Sequence, residues 1–154
     1  MGYSQYVERF ETIDEFIKQV EIFYYDIIDI LKLTQASKSN WIIEKSKEYM
    51  KKNYFEDLTV EDIANHVERN SNYLCNLFSR IEGITITEYL NRIRIEKAKE
   101  LLKTTSLMTY EIAEKVRFKN YRYFTQVFKK FVEKTPTTYR NEFYHTIREQ
   151  RSRV

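Results

Sequence analysis

Apolar side chains recur along this chain at steps of three and four, and polar breaks divide the rhythm into segments of helical length. Over residues 10–33 they fall at Phe10, Ile13, Ile17, Val20, Tyr24, Ile27 and Leu31, with Phe16, Phe23 and Ile30 beside them. This seam, widened on one side, predicts an amphipathic helix. Thr12 and Glu15 have capping-box spacing and place its start near Ile13. The stripe fits two uses, a helix packed on its own domain or a dimerisation helix. It is wider than a two-stranded seam needs and too short for a coiled-coil assignment. Thr34–Asn40 is polar and reads as a linker. A further helix is expected from about Trp41 to Asn53, with Ile42, Ile43, Tyr49 and Met50 on its apolar face.

The pattern then occurs twice. Ile63, Ala64 and Val67 match Ile112, Ala113 and Val116 at an offset of 49. Tyr73, Leu74, Leu77 and Phe78 match Tyr123, Phe124, Val127 and Phe128 at an offset of 50, so the extra residue falls in the turn. Each copy predicts a helix-turn-helix, near residues 59–81 and 109–132. Such a unit serves to place its second helix in a DNA groove. Thr59 is a candidate N-cap, and Thr109 opens the second copy. Asn70 and Asn120 are placed to cap the two reading helices. Gly83 follows the first of them, where a positive φ is often needed. Between the copies, Thr85 and Glu88 open a helix from Ile86 to about Lys103 with no internal Gly or Pro. Its length of ~27 Å, with flanking turns, suits two reading helices one DNA turn of ~34 Å apart. Thr135-Pro136 starts a last helix through Tyr139 and Phe143, and residues 150–154 read as a frayed tail. The expected architecture is all-α: two helix-turn-helix subdomains joined by a long linker helix, preceded by an amphipathic N-terminal helix. The divisions are 1–40, 41–149 and the tail.

Charge sharpens this picture. Residues 1–40 hold seven acids and four bases, whereas residues 41–154 hold 16 acids and 22 bases. The basic part coincides with the repeat, as an electrostatic footprint for phosphate should. The single Cys75 excludes an intrachain disulfide, and no apolar run reaches membrane-spanning length, so a cytoplasmic, non-membrane protein is expected. His66 and His145 are 79 positions apart with no clustered partner, and two glycines cannot build a phosphate loop. Neither catalysis, a metal nor a cofactor is expected.

Residues Trp41 to Phe143 resemble the DNA-binding domain of the AraC/XylS family of transcription regulators. Arg94-Ile95-Glu96-Lys97-Ala98-Lys99-Glu100-Leu101-Leu102 resembles the family's linker-helix motif. Phe128-Lys129-Lys130 followed by Thr135-Pro136-Thr137-Thr138-Tyr139-Arg140 resembles its closing signature. The resemblance implies two recognition helices entering major grooves on one face of DNA. The chain departs from the pattern at Arg117 and Glu133, where the family usually has Gly. A non-Gly residue at positive φ costs roughly 1 kcal/mol or more, so the second unit is expected to be strained or to have an altered turn.

With Leu74, Leu77 and Phe78 inward, Ser71, Asn72, Cys75, Asn76 and Ser79 face out. The resemblance puts Asn72, Cys75 and Asn76 at base-facing positions. Asn suits bidentate pairing with adenine. Cys75 fits either a thymine-methyl contact or a half-buried thiol. On the second helix Tyr121, Arg122, Thr125 and Gln126 project outward. Arg122 can pair with guanine, Gln126 with adenine, and Thr125 can touch a thymine methyl. Tyr121 fits a base or a sugar. Candidate phosphate contacts are Thr59, Arg80, Thr109, Lys129, Lys130 and Arg140.

The function that follows is sequence-specific regulation of transcription on double-stranded DNA. The alternative is a helical interaction or homodimerisation module acting through residues 10–33. Forty N-terminal residues are too few for an independent sensing domain. That leaves a compact stand-alone regulator or, the favoured option, the C-terminal part of one whose N-terminal sensing domain is missing.

Overall fold

The computed structural model describes residues 12–151 and resolves them into helices: α1 (Ile13–Asn53), α2 (Val60–His66), α3 (Ser71–Glu82), α4 (Ile86–Thr104), α5 (Thr109–Lys115), α6 (Tyr121–Val132) and α7 (Pro136–Arg151). There is no strand among the described residues. Phe10 and residues 152–154 lie outside them, and α7 includes 150 and 151, which the sequence assigned to the tail.

One element differs from expectation. Thr34–Asn40 is no linker; it is helical, and α1 runs unbroken for 41 residues. Polar residues without Gly or Pro only weaken a helix, by up to ~0.7 kcal/mol each. Thr34 also meets its own hydroxyl requirement inside the helix, its Oγ1 donating to Ile30 O at 2.8 Å. The N-terminus forms where the capping spacing placed it, with the Glu15 N–H donating to Thr12 Oγ1.

The chain divides into two units, residues up to Trp41 and residues from Ile42 onward. In the first, the apolar stripe is open: Ile13 is 79% exposed, Ile17 50%, Val20 49%, Tyr24 61% and Leu31 63%. Even Ile27, the least open of the stripe, is 40% exposed.

The second unit has two cores. Ile42, Ile43 and Met50 from the end of α1 join Ile63, Ala64, Val67, Leu74, Leu77, Phe78, Ile86 and Leu90. Ile95, Ala98 and Leu102 join Ile112, Ala113, Val116, Phe118, Phe124, Val127 and Phe128. The linker helix α4 therefore serves both, handing over between Leu90 and Ile95. The same triad spacing supports each core, since Ile43, Ser46 and Met50 are related to Ile95, Ala98 and Leu102 by 52 positions. Ser46 is buried where its counterpart is Ala, and its hydroxyl is satisfied by Ile42 O at 2.8 Å.

The duplication extends further than the apolar pattern revealed. Glu68 and Arg117 occupy the same place in the two turns, with φ of 54° and 62°. The next N–H in each turn donates back into the first helix, Arg69 to Ala64 O and Phe118 to Ala113 O, both at 2.9 Å. The second turn then carries Lys119 as its extra residue before Asn120. Gly83 and Glu133 end α3 and α6 in matching left-handed conformations, φ 72° and 62°. Thr85 and Thr135 cap the helices that follow, accepting from the Glu88 and Thr138 N–H groups. Tyr89 and Tyr139 then meet Phe78 and Phe128 edge-on at 5.5 and 5.7 Å. The second helix-turn-helix keeps its turn geometry with Arg117 and Glu133 in place of glycine.

Candidate nucleic-acid interface

Each of α3 and α6 is set by one Asn and three buried side chains. Asn70 Oδ1 accepts from the Asn72 and Tyr73 N–H groups at 2.8 and 3.4 Å. Asn120 Oδ1 accepts from Tyr123 N–H at 3.1 Å. Such a cap satisfies N–H groups that a helix start otherwise leaves orphaned. Leu74, Leu77 and Phe78 fix the inward face of α3, and Phe124, Val127 and Phe128 fix that of α6. The outward faces then coincide in register. Asn72 and Arg122 are exposed, Cys75 and Thr125 half-buried, and Asn76 and Gln126 exposed.

Other predicted residues have protein partners. Thr125 Oγ1 donates to Tyr121 O at 3.0 Å, which leaves its methyl for apolar contact. The Tyr121 hydroxyl and Thr109 Oγ1 are 2.8 Å apart, joining the starts of α5 and α6. Thr59 is engaged in a full capping box: its N–H donates to Asp62 Oδ2 at 2.8 Å and its Oγ1 accepts from Asp62 N–H at 3.1 Å. The bonds from the Thr59 hydroxyl and N–H hold the Asp62 carboxyl below its ordinary value of 3.8. The structural counterpart of Thr59 is Met108, not Thr109. Met108 has no hydroxyl, and the box survives only as its N–H donating to Glu111 Oε2 at 2.6 Å. α5 begins at Thr109, the residue that opens the second copy in the sequence.

The cationic candidates separate. Arg80 and Lys129 are exposed in the last turns of α3 and α6. Lys130 is held 2.9 Å from Glu88 on α4. Arg140 turns inward, its Nε donating to Leu102 O at 3.3 Å and its Nη2 buried. The geometry thus gives Lys130 and Arg140 intramolecular tasks.

The sequence reading missed a polar stripe on α4. Glu88, Asn91 and Arg94 recur every three residues. Glu88 takes Lys130, and Asn91 Nδ2 donates to the Tyr123 hydroxyl at 3.1 Å, so both tether α6. Arg94 reaches the connector between α1 and α2, donating from Nε to Tyr54 O and from Nη2 to Glu56 O, both at 2.9 Å. Burial lowers its pKa, opposed by the nearby Asp57 and reinforced by Arg117. The spacing of three was visible in the sequence; the partners, 32 to 42 positions away, were not.

Asn91 and Arg94 lie in a groove that also presents Thr59, Arg122 and Gln126. Arg94, Arg117, Lys119 and Arg122 surround it, with Asp57 as the acidic residue in the lining. A concave, cation-lined surface of this kind concentrates anionic ligands. Among the described residues no three His, Cys, Asp or Glu side chains come together as a metal site, and no helix is long and apolar enough to cross a membrane.

The family model described as a helix-turn-helix domain matches residues 47–142. The uncharacterized HTH-type transcriptional regulator YijO of Escherichia coli (strain K12) is 34% identical over 119 residues, covering 77% of this chain and 42% of that protein. The transcriptional regulatory protein HptR of Staphylococcus aureus (strain NCTC 8325 / PS 47) is 33% identical over 107 residues, covering 70% of this chain and 42% of that protein. The chain thus spans 42% of the length of each of these relatives. Among solved structures, the C-terminal domain of AraT, a response regulator from Geobacillus stearothermophilus, superposes with a TM-score of 0.62 at 35% identity, covering 66% of this chain and 84% of that one.

Proposed function

The chain belongs to the AraC-type helix-turn-helix family, and from that premise we propose that it regulates transcription by reading two adjacent major-groove segments of double-stranded DNA. What carries the reading is the matched register of α3 and α6, which exposes Asn72 and Asn76 on one and Arg122 and Gln126 on the other. Asn and Gln suit adenine, and Arg suits guanine. Cys75, Thr125 and Tyr121 complete the base-facing set, and the methyl of Thr125 suits thymine. Arg80 and Lys129 bind phosphate and set register.

The test is binding to a duplex selected from random sequence, at fixed salt and with nonspecific competitor. Asn76→Ala and Arg122→Ala each relax base preference, at different positions of the selected site. Unchanged preference in both removes these residues from the reading.

A second reading concerns residues 10–33. The open stripe from Ile13 to Leu31 keeps the three-and-four spacing of a helix that packs on a copy of itself. We propose that it forms a homodimer contact, which Ile17→Glu with Ile27→Glu in the full chain would disrupt. Sedimentation equilibrium decides it: a monomeric wild-type chain removes the contact.

A further inference from the structure

The two helix-turn-helix units share α4, but a second connection crosses between them. Arg117, in the turn between α5 and α6, donates from Nε to Phe55 O at 2.9 Å. Its guanidinium is also 4.0 Å from Asp57 Oδ1, and Lys119 Nζ is 3.6 Å from Asp57 Oδ2. Phe55 and Asp57 belong to the connector that leads into α2 of the first unit. Arg94 holds the same connector through the carbonyls on either side, Tyr54 O and Glu56 O. Three successive carbonyls are therefore gripped by two arginines, one from the linker helix and one from the second turn.

Arg117 makes this contact from a left-handed backbone, φ 62°, where Gly would sit without strain. Its counterpart Glu68 has the same backbone in the first turn. What Arg117 adds is the side-chain bridge. A bridge away from the α4 axis adds a second constraint on how the two helix-turn-helix units are placed on that helix. Their placement matters on DNA, because one base pair shifts a contact site by ~3.4 Å along the duplex and ~35° around it.

We propose that Arg117 is a positioning residue, latching the second turn to the first unit's connector and so fixing the spacing of DNA segments that α3 and α6 accept together. This rests on the reading of DNA by both helices, so the test has one arm without DNA. In the full chain carrying Cys75→Ser, spin labels at Ser79→Cys and Lys129→Cys report the separation of α3 and α6. The distance distribution is expected to broaden in Arg117→Gly and Arg117→Asn, both suited to the left-handed backbone. Equal widths in wild type and variants overturn the latch, whatever the DNA arm shows.

The DNA arm compares duplexes whose two segments are at the selected spacing or one base pair off. The variants are expected to lose about tenfold of the wild-type spacing preference, the worth of one charge-assisted hydrogen bond, over and above any affinity lost equally at both spacings with this groove cation. A uniform loss with the spacing preference kept, and the salt slope falling by about one, makes Arg117 a phosphate contact only and overturns the latch. If either variant melts lower than wild type, Asp57→Asn, which leaves the turn intact, must reproduce part of the broadening. If it does not, the proposal fails. A wild-type chain with no sequence preference, but with broadening in the variants, sinks the DNA reading and leaves the latch standing.

Discussion

Gly83→Glu and Glu133→Gly should shift stability by similar amounts in opposite directions. The two residues end α3 and α6 with nearly the same backbone, φ 72° and ψ 1° against φ 62° and ψ 4°, and the cap N–H donates to the carbonyl four residues back in both. A Cβ at position 83 meets nothing within 4 Å, so steric contact contributes nothing there. The left-handed region costs an L-residue roughly 1–2 kcal/mol. Gly offsets roughly 0.4–1 kcal/mol of this through its looser unfolded chain. A carboxylate beside the negative end of a helix costs another ~0.3 kcal/mol or more. The net effect is about 1 kcal/mol: Glu133→Gly stabilises and Gly83→Glu destabilises. For a chain of 154 residues this corresponds to a melting shift of about 2–4 °C. Circular dichroism melts of the full chain, with urea titrations to check that m is unchanged, measure both. If Glu133→Gly melts below wild type, or Gly83→Glu leaves the midpoint unmoved, left-handed strain does not govern these caps.

Further outcomes follow from the repeat, its caps and its outward faces. Met108→Thr supplies the hydroxyl present at the equivalent Thr59 and should stabilise α5 by about 1 kcal/mol, read as a raised urea midpoint. The depressed carboxyl of Asp62 contributes its cap fully above the ordinary value of 3.8 and loses it as pH falls through the lower folded value. Exchange of the Thr59 amide should therefore accelerate across that acid range in the wild type, and Asp62→Asn should abolish the step. On DNA, Gln126→Ala should cost about 1–3 kcal/mol of discrimination at one base position. Lys129→Ala should instead weaken binding evenly across sequences and lower the salt slope by about one.

What could be read from the sequence was local. Asn70, Asn120, Thr85 and Thr135 act within three residues of themselves, so their spacing announced the helix starts. Gly83 announced an end for the same reason. Thr34–Asn40 misled because Ser, Thr and Asn mark exposed surface equally well in a loop or a helix, and only Gly or Pro would have broken α1. The apolar offset of 49 already pointed to Met108 as the counterpart of Thr59, one residue before the helix that Thr109 opens. Glu68 is legible too: aligning the turns places it opposite Arg117, which stands where the family usually has Gly. The partners of Arg94, Arg117, Lys130 and Arg140 could not, because each is set by the packing of helices far apart in sequence. For Lys130 and Arg140 that packing replaces a general argument from charge with a specific partner, Glu88 and Leu102 O.

The most direct measurement is footprinting of the full chain on duplexes selected from a random pool, at physiological salt with nonspecific competitor. Two protected major-groove segments about one turn apart are expected, one altered by Asn76→Ala and the other by Arg122→Ala. A single protected segment, or two segments that both respond to the same substitution, would contradict reading by α3 and α6 together.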